Sequence, residues 1–188
     1  MTIGKRRLRV EALCRRDSLG VPERAATERA LAAAVPPLVE GRTAAYVSIG
    51  SEPGTALLLS RLDDVLLPVL LHDGDLDWAL YDGELVPGPL GLLEPAGRRL
   101  GRDAVADCSL VVVPALAVDR SGTRLGRGGG SYDRALCRTS ALVVAALHVG
   151  ELRETLPAEP HDQPVDAVVL PDRGLVVLRT GRAGGMWA

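Results

Sequence analysis

Hydrophobic and polar positions along the 188-residue chain fall into two periods. Residues 3–18 interleave basic and apolar side chains at helical spacing, with Ile3, Leu8, Ala12 and Leu13 on one side. Pro22 suits the first turn of a second helix, which runs to about Ala33 and ends before Pro36-Pro37. Ala44 to Ile49 then predicts a short strand, and Thr55 to Leu62 a short helix with Thr55 as its N-cap. Val65 to Leu71 is a dense apolar run of the kind buried on both faces of a sheet. Trp78 to Tyr81 and Leu85-Val86 predict edge strands around an Asp82-Gly83 turn, and residues 87–103 a loop. Leu110 to Val113, Leu142 to Val149, Val165 to Leu170 and Leu175 to Leu178 complete the strands, with a helix over Tyr132 to Cys137.

Apolar strands alternating with helices predict an α/β layered domain with a mostly parallel central sheet flanked by helices. The length suits a single domain over residues 1–188, with a disordered tail from about residue 180. In such a sheet the site is expected at the carboxyl ends of the strands, where the long loop after Leu110–Val113 lies.

Composition narrows the function. The net charge of −2 and a total of five aromatic residues argue against a nucleic-acid binder. Cys14, Cys108 and Cys137 are odd in number and far apart, which fits neither a disulfide framework nor a zinc site; all three read as packing residues. The longest uncharged apolar run, Leu110 to Val118, is too short to span a bilayer, and charges interrupt any signal-like start. A reduced, cytoplasmic protein without membrane partners is the expectation.

The densest chemical signal runs from Asp119 to Arg134. It follows a buried strand, contains Gly126, Gly128, Gly129 and Gly130, and opens a helix. Glycines let backbone N–H groups converge on an anion, and Arg124 and Arg127 add planar donors suited to phosphate. Asp133, in the first turn of that helix, is placed to hold Mg²⁺ against such phosphates. The stretch is neither a Walker A motif nor GxGxxG, and an ordinary surface loop is the competing reading. His72 and His148 lie in strand-like runs and read as structural. His161 reads as a loop histidine bonded to backbone sooner than as a base.

The loop resembles the signature of the 5-formyltetrahydrofolate cyclo-ligase family, in which Pro-Gly-Leu-x-Phe-Asp precedes Arg-Leu-Gly-x-Gly-x-Gly-Tyr-Tyr-Asp. Here the chain has Pro114-Ala115-Leu116-Ala117-Val118-Asp119 and then Arg124 to Asp133. Three weaker stretches follow the family order: Lys5-Arg6-Arg7-Leu8-Arg9, the run Tyr46 to Thr55 around Glu52, and His161-Asp162 with Val165-Asp166.

The resemblance implies ATP- and Mg²⁺-dependent conversion of 5-formyltetrahydrofolate to 5,10-methenyltetrahydrofolate, with release of ADP and phosphate. It gives catalytic roles to Arg124 and Lys5. Nucleotide binding falls to Lys5, Arg6, Arg9 and Arg124, and to the loop residues Leu125, Gly126, Arg127, Gly128, Gly129, Gly130, Ser131 and Tyr132. Folate binding falls to Arg9, Val47, Glu52, Arg127, Gly128, Gly129, Gly130 and Tyr132, and the metal to Asp133 and Asp166. Partners are then a reduced folate and ATP, and the state a monomer or weak homodimer.

Two positions depart from the family pattern. Ser131 replaces the first tyrosine, and Leu90, in Leu90-Gly91-Leu92-Leu93-Glu94-Pro95, stands where an aromatic commonly packs on the pterin. The alternative readings are a diverged paralogue that binds a nucleotide without cyclising folate, and a phosphometabolite sensor on the same scaffold.

Overall fold

The computed structural model describes residues 3–178, so the tail expected from about residue 180 lies outside the described residues. Helices α1 (Ile3–Asp17) and α2 (Val21–Ala34) open the chain. Strand β1 (Thr43–Ala44) leads through the single-turn helix α3 (Ala56–Leu59) to β2 (Val65–Leu70) and β3 (Leu76–Leu80). A hairpin of β4 (Leu85–Pro87) and β5 (Leu93–Pro95) and a 3₁₀ segment (Arg102–Asp107) precede β6 (Leu110–Pro114). The glycine-rich stretch contains β7 (Ala117–Asp119) and β8 (Arg124–Leu125) and runs into α4 (Ser131–Leu136). The chain continues through β9 (Leu142–Ala146), β10 (Leu152–Arg153), β11 (Ala167–Leu170) and β12 (Gly174–Val177).

Seven strands form the main sheet in the order β12-β11-β9-β6-β1-β2-β3. The five inner strands are mutually parallel, and β12 and β3 add an antiparallel strand at each edge. Period-two alternation divides each inner strand between two cores. Leu110 and Val112 of β6 face the side covered by α2 and α3, with Leu31, Val35 and Leu58. Val111 and Val113 face Ala135 and Leu136 of α4 and the buried Trp78. The layered, mostly parallel α/β architecture matches the expectation.

Local differences have local causes. Strand β1 ends at Ala44, well short of Ile49, because the chain leaves the ladder: the Tyr46 hydroxyl donates to Pro53 O at 2.8 Å, and Ser48 N–H to Thr55 Oγ1 at 3.1 Å. Thr55 therefore makes no side-chain cap, and Glu28 of α2 accepts the Leu57 N–H of α3 instead. Strand β4 does not pair with β3 across Asp82-Gly83; it pairs with β5, inside the segment expected to be loop. His72 sits exposed in the turn after β2, not in a strand.

Three charged clusters fix the layers to one another. Arg16 of α1 is 1% exposed and binds Glu151 through two bonds, Nε to Oε1 at 2.7 Å and Nη2 to Oε2 at 2.8 Å. Nη2 also donates to Ala115 O, and the same carboxylate accepts the His148 N–H at 2.9 Å. On the other face Asp75, before β3, accepts from Arg138 Nη2 at 2.6 Å and Arg102 Nη1 at 3.1 Å. The Arg138 hydrogen bond holds its carboxyl below the ordinary 3.8, outweighing desolvation. In the small sheet, of order β10-β7-β8, Asp119 accepts from Ser121 N, Ser121 Oγ and Thr123 N on one oxygen and from Leu156 N on the other.

Removing one partner from a buried pair strands the other. Arg16→Met is expected to lower the unfolding free energy by about 3–5 kcal/mol in urea titrations, with Arg16→Met/Glu151→Leu losing less. A single-variant loss below about 1 kcal/mol contradicts the pair's role. Asp75, with its carboxyl depressed in the fold, stabilises the native state above the unfolded carboxylate range, and that contribution is lost on acidification. Between about pH 4 and pH 2, Asp75→Asn should therefore lose less stability than the parent protein; parallel pH profiles contradict this.

Candidate active site

Strands β1 and β6 are neighbours, and the chain leaves β1 toward β2 on one side but leaves β6 toward β9 on the other. That divergence opens a crevice at the carboxyl ends of these strands. The crevice is a cavity of about 400 Å³. Tyr46 and Val47 beyond β1, Leu70 at the end of β2, and Pro114 and Ala115 beyond β6 form its base. Burial raises the Tyr46 and Tyr132 hydroxyls above their ordinary 10.0, so both line the cavity as neutral groups.

The glycine-rich stretch forms one wall. Asp119 ties the β7–β8 turn, and β8 then delivers Arg124 into the interior, 6% exposed. Arg124 lies over the Tyr132 ring at 5.8 Å from its centroid and bonds Asp133 Oδ1 through Nη2 at 2.7 Å. Its Nε is buried with no protein partner. Beyond it, Gly128 and Gly130 adopt positive φ (106° and 72°), which a side chain would resist. A Cβ at Gly128 would also press on the Arg9 guanidinium, whose Nε donates to Gly126 O at 2.8 Å. Among the described residues no acceptor meets the N–H groups of Gly128, Gly129 or Gly130.

Helix α1 supplies the second wall. Lys5 is buried and donates to Asp162 Oδ2 at 2.5 Å and Glu159 Oε2 at 3.1 Å. Burial opposes its charge, but these two carboxylates outweigh the desolvation and raise its ammonium above the ordinary 10.5. At the mouth, Arg127 Nε pairs with Glu52 Oε1 at 3.0 Å, and Glu52 is fixed from behind by the Ile49 N–H. The remaining side is apolar: Leu76, Leu92, Leu93 and Leu90. Leu90 is 89% exposed and is the one non-glycine residue of positive φ among the described residues.

The cavity gathers Lys5, Arg9, Val47, Glu52, Asp133 and every residue from Arg124 to Tyr132. Two expected members are elsewhere. Arg6 is exposed on α1 and does not line the cavity. Asp166 does not join Asp133. It opens β11 at the amino edge of the sheet, where its Oδ2 accepts the Val143 N–H at 2.8 Å, whereas α4 begins at the carboxyl edge. Asp162 lines the cavity in its stead, and Gln163 N–H reaches Asp133 Oδ1 at 3.2 Å.

Other residues sort similarly. His148 is buried between Thr27 Oγ1 at 2.8 Å and Ser51 O at 3.2 Å, and burial lowers its pKa below the ordinary 6.5. The exposed His161 approaches Glu159 and Asp162 at 3.6 and 3.9 Å, so it faces carboxylates and not backbone. Only Cys108 packs inside, its thiol pushed up to about 12 by burial; Cys14 and Cys137 are exposed. Arg16 lines the cavity without having been anticipated. Its signal was in the spacing, since positions 5, 9 and 16 share one face of a helix.

Comparisons with known proteins give the family and the fold. Residues 1–171 match the model of the 5-formyltetrahydrofolate cyclo-ligase family. A 5-formyltetrahydrofolate cyclo-ligase of Mycolicibacterium smegmatis is 45% identical over 154 residues, covering 75% of this chain and 79% of that protein. The Escherichia coli K12 protein of the same name is 34% identical over 150 residues, covering 73% of this chain and 82% of that protein. The solved structure of Aquifex aeolicus 5,10-methenyltetrahydrofolate synthetase superposes with a TM-score of 0.80 at 28% identity over 95% of each chain. On the family match, these relatives and the shared fold, the chain belongs to the 5-formyltetrahydrofolate cyclo-ligase family.

Proposed function

We propose that this chain converts 5-formyltetrahydrofolate to 5,10-methenyltetrahydrofolate at the expense of ATP, with Mg²⁺ required and ADP and phosphate released. The observation that carries the reading is one cavity with two unlike walls. One offers Arg124, free glycine N–H groups and the ion cluster of Lys5 with its two carboxylates; the other offers Leu76, Leu92 and Leu93. The buried, unpartnered Nε of Arg124 is a donor awaiting an anion, since such a group is costly to leave unmatched.

The chemistry explains the need for both walls. An amide-like formyl oxygen leaves poorly, so N10 of the folate cannot displace it. Transfer of the terminal phosphoryl group to that oxygen makes it a leaving group; N10 then closes the ring and phosphate departs. The protein's part is to align the formyl oxygen with the phosphate and to offset charge. Arg124 and the Gly128–Gly130 amides receive the phosphate oxygens, and Tyr132 and Asp133 hold the Arg124 guanidinium in place. Lys5 acts with its two carboxylates as one buried ion cluster rather than as a free charge. Glu52, Arg127, Val47 and the leucine wall receive the folate, with aliphatic surface at Leu90 where the family commonly has an aromatic.

The oxygen donors of Asp133 and Asp162 on the cavity wall suit Mg²⁺, and these two residues would hold it. Held there, the ion supplies charge neutralisation at the phosphate oxygens. Among the described residues no helix is long and apolar enough to cross a membrane. A cytoplasmic location and a monomeric or weakly dimeric state complete the proposal.

Mixing the protein with 5-formyltetrahydrofolate, ATP and Mg²⁺ should raise the near-ultraviolet band of methenyltetrahydrofolate only when ATP is present. A flat trace alongside calorimetric ATP binding would replace this reading with that of a diverged, nucleotide-binding paralogue. Arg124→Ala is expected to lower kcat by about 10²–10³-fold, with circular dichroism unchanged; unaltered turnover contradicts the role of Arg124.

A further inference from the structure

Arg134 follows the signature and lies outside the cavity lining, yet it contacts the glycine loop. Its Nη2 donates to Gly129 O at 3.1 Å and to Gly74 O in the turn between β2 and β3. That turn is itself fixed: Gly74 N–H bonds Leu71 O at 2.9 Å, and the adjacent Asp75 is gripped by Arg138 and Arg102. Arg134 on α4 and Arg138, just beyond the end of that helix, reach neighbouring residues of the same turn. Only Arg134 also reaches the loop. The fit is close on both sides, since a Cβ on Gly74 or Gly130 would come within 2.9 or 3.1 Å of its guanidinium.

A trans peptide directs its C=O and the following N–H in opposite directions, and the described chain has no cis peptide. Holding Gly129 O on Arg134 therefore turns the Gly130 N–H away from Arg134, and Gly129 and Gly130 line the cavity whereas Arg134 does not. Glycine on both sides would otherwise let this peptide plane rotate freely. We infer that Arg134 is a positioning residue: it anchors the Gly129–Gly130 peptide to the sheet so that the Gly130 N–H is aimed at the phosphate of ATP. The inference rests on the ATP reading above and adds to it the residue that orients the loop. An amide already aimed needs no reorganisation when the anion arrives.

Steady-state kinetics of the full chain test this with Arg134→Ala, Arg134→Lys and Arg138→Ala. Arg134 is exposed, so its variants should fold. Arg134→Ala is expected to raise KM for ATP about tenfold, equivalent to about 1.4 kcal/mol, while KM for the folate stays within about twofold. Arg134→Lys should restore most of the loss, because an ammonium can donate to both carbonyls. Arg138→Ala loosens the same turn without touching the loop, so it should lower Tm and leave KM for ATP unchanged. An unchanged KM for ATP in Arg134→Ala overturns the inference, as does an equal rise in Arg138→Ala. A parent protein without ATP-dependent turnover overturns the reading beneath it, which the parent assay reveals separately.

Discussion

The pairing of Arg16 with Glu151 is the contact on which the site depends. Helix α1 packs on the small sheet through few apolar residues, Ala12, Leu8 and Leu13 against Leu116, Ala117 and Leu125. A contact that small would hold a helix loosely. The bidentate guanidinium, bonded also to Ala115 O, fixes the helix to the segment leaving β6 and to the segment leaving β9. Everything α1 contributes, including Lys5 in its carboxylate cluster and Arg9 on the Gly126 carbonyl, takes its place from that anchor. The cost of burying two charges is offset by the bidentate pair itself and by the further bonds to Ala115 O and from the His148 N–H.

The glycine loop follows the same logic from three directions. Glycine residues free the backbone to approach an anion, but freedom alone would leave the amides unaimed. Asp119 closes the turn before the loop with four donors, Arg9 takes the Gly126 carbonyl from inside, and Arg134 takes the Gly129 carbonyl from outside. Carbonyls are thereby occupied by arginines, and the N–H groups are left for a ligand. The abundance of arginine in this chain, with Lys5 its one lysine, acquires a structural meaning. A planar fork can hold a carbonyl and a carboxylate at once, which a point charge does less well.

Much of the fold was legible because β2, β6, β9 and β11 are buried on both faces and read as continuous apolar runs. Strands β7 and β8 were hidden: each has two or three residues, and side-chain bonds from Asp119 hold their turn where no hydrophobic pattern marks it. The β4–β5 hairpin was missed for a related reason, since Glu94 anchors it to the Leu70 N–H instead of an alternating apolar face. At the site, the signature located Arg124 and Asp133 together, because residues nine apart around one turn must stay close. Asp166, which the resemblance pairs with Asp133, lies apart from it on topology. A residue opening a parallel strand lies at the amino edge, opposite an α-helix that begins at the carboxyl edge, and sequence proximity to His161-Asp162 concealed this.

In the proposed reaction a phosphoryl group crosses from the polar wall to the folate held on the apolar one. The most direct measurement follows the formyl oxygen itself. With a heavy isotope of oxygen in the formyl group of 5-formyltetrahydrofolate, turnover with ATP should deliver the label into the inorganic phosphate released. Label appearing in water or formate, with unlabelled phosphate, would contradict transfer to that oxygen and with it the division of labour between the walls.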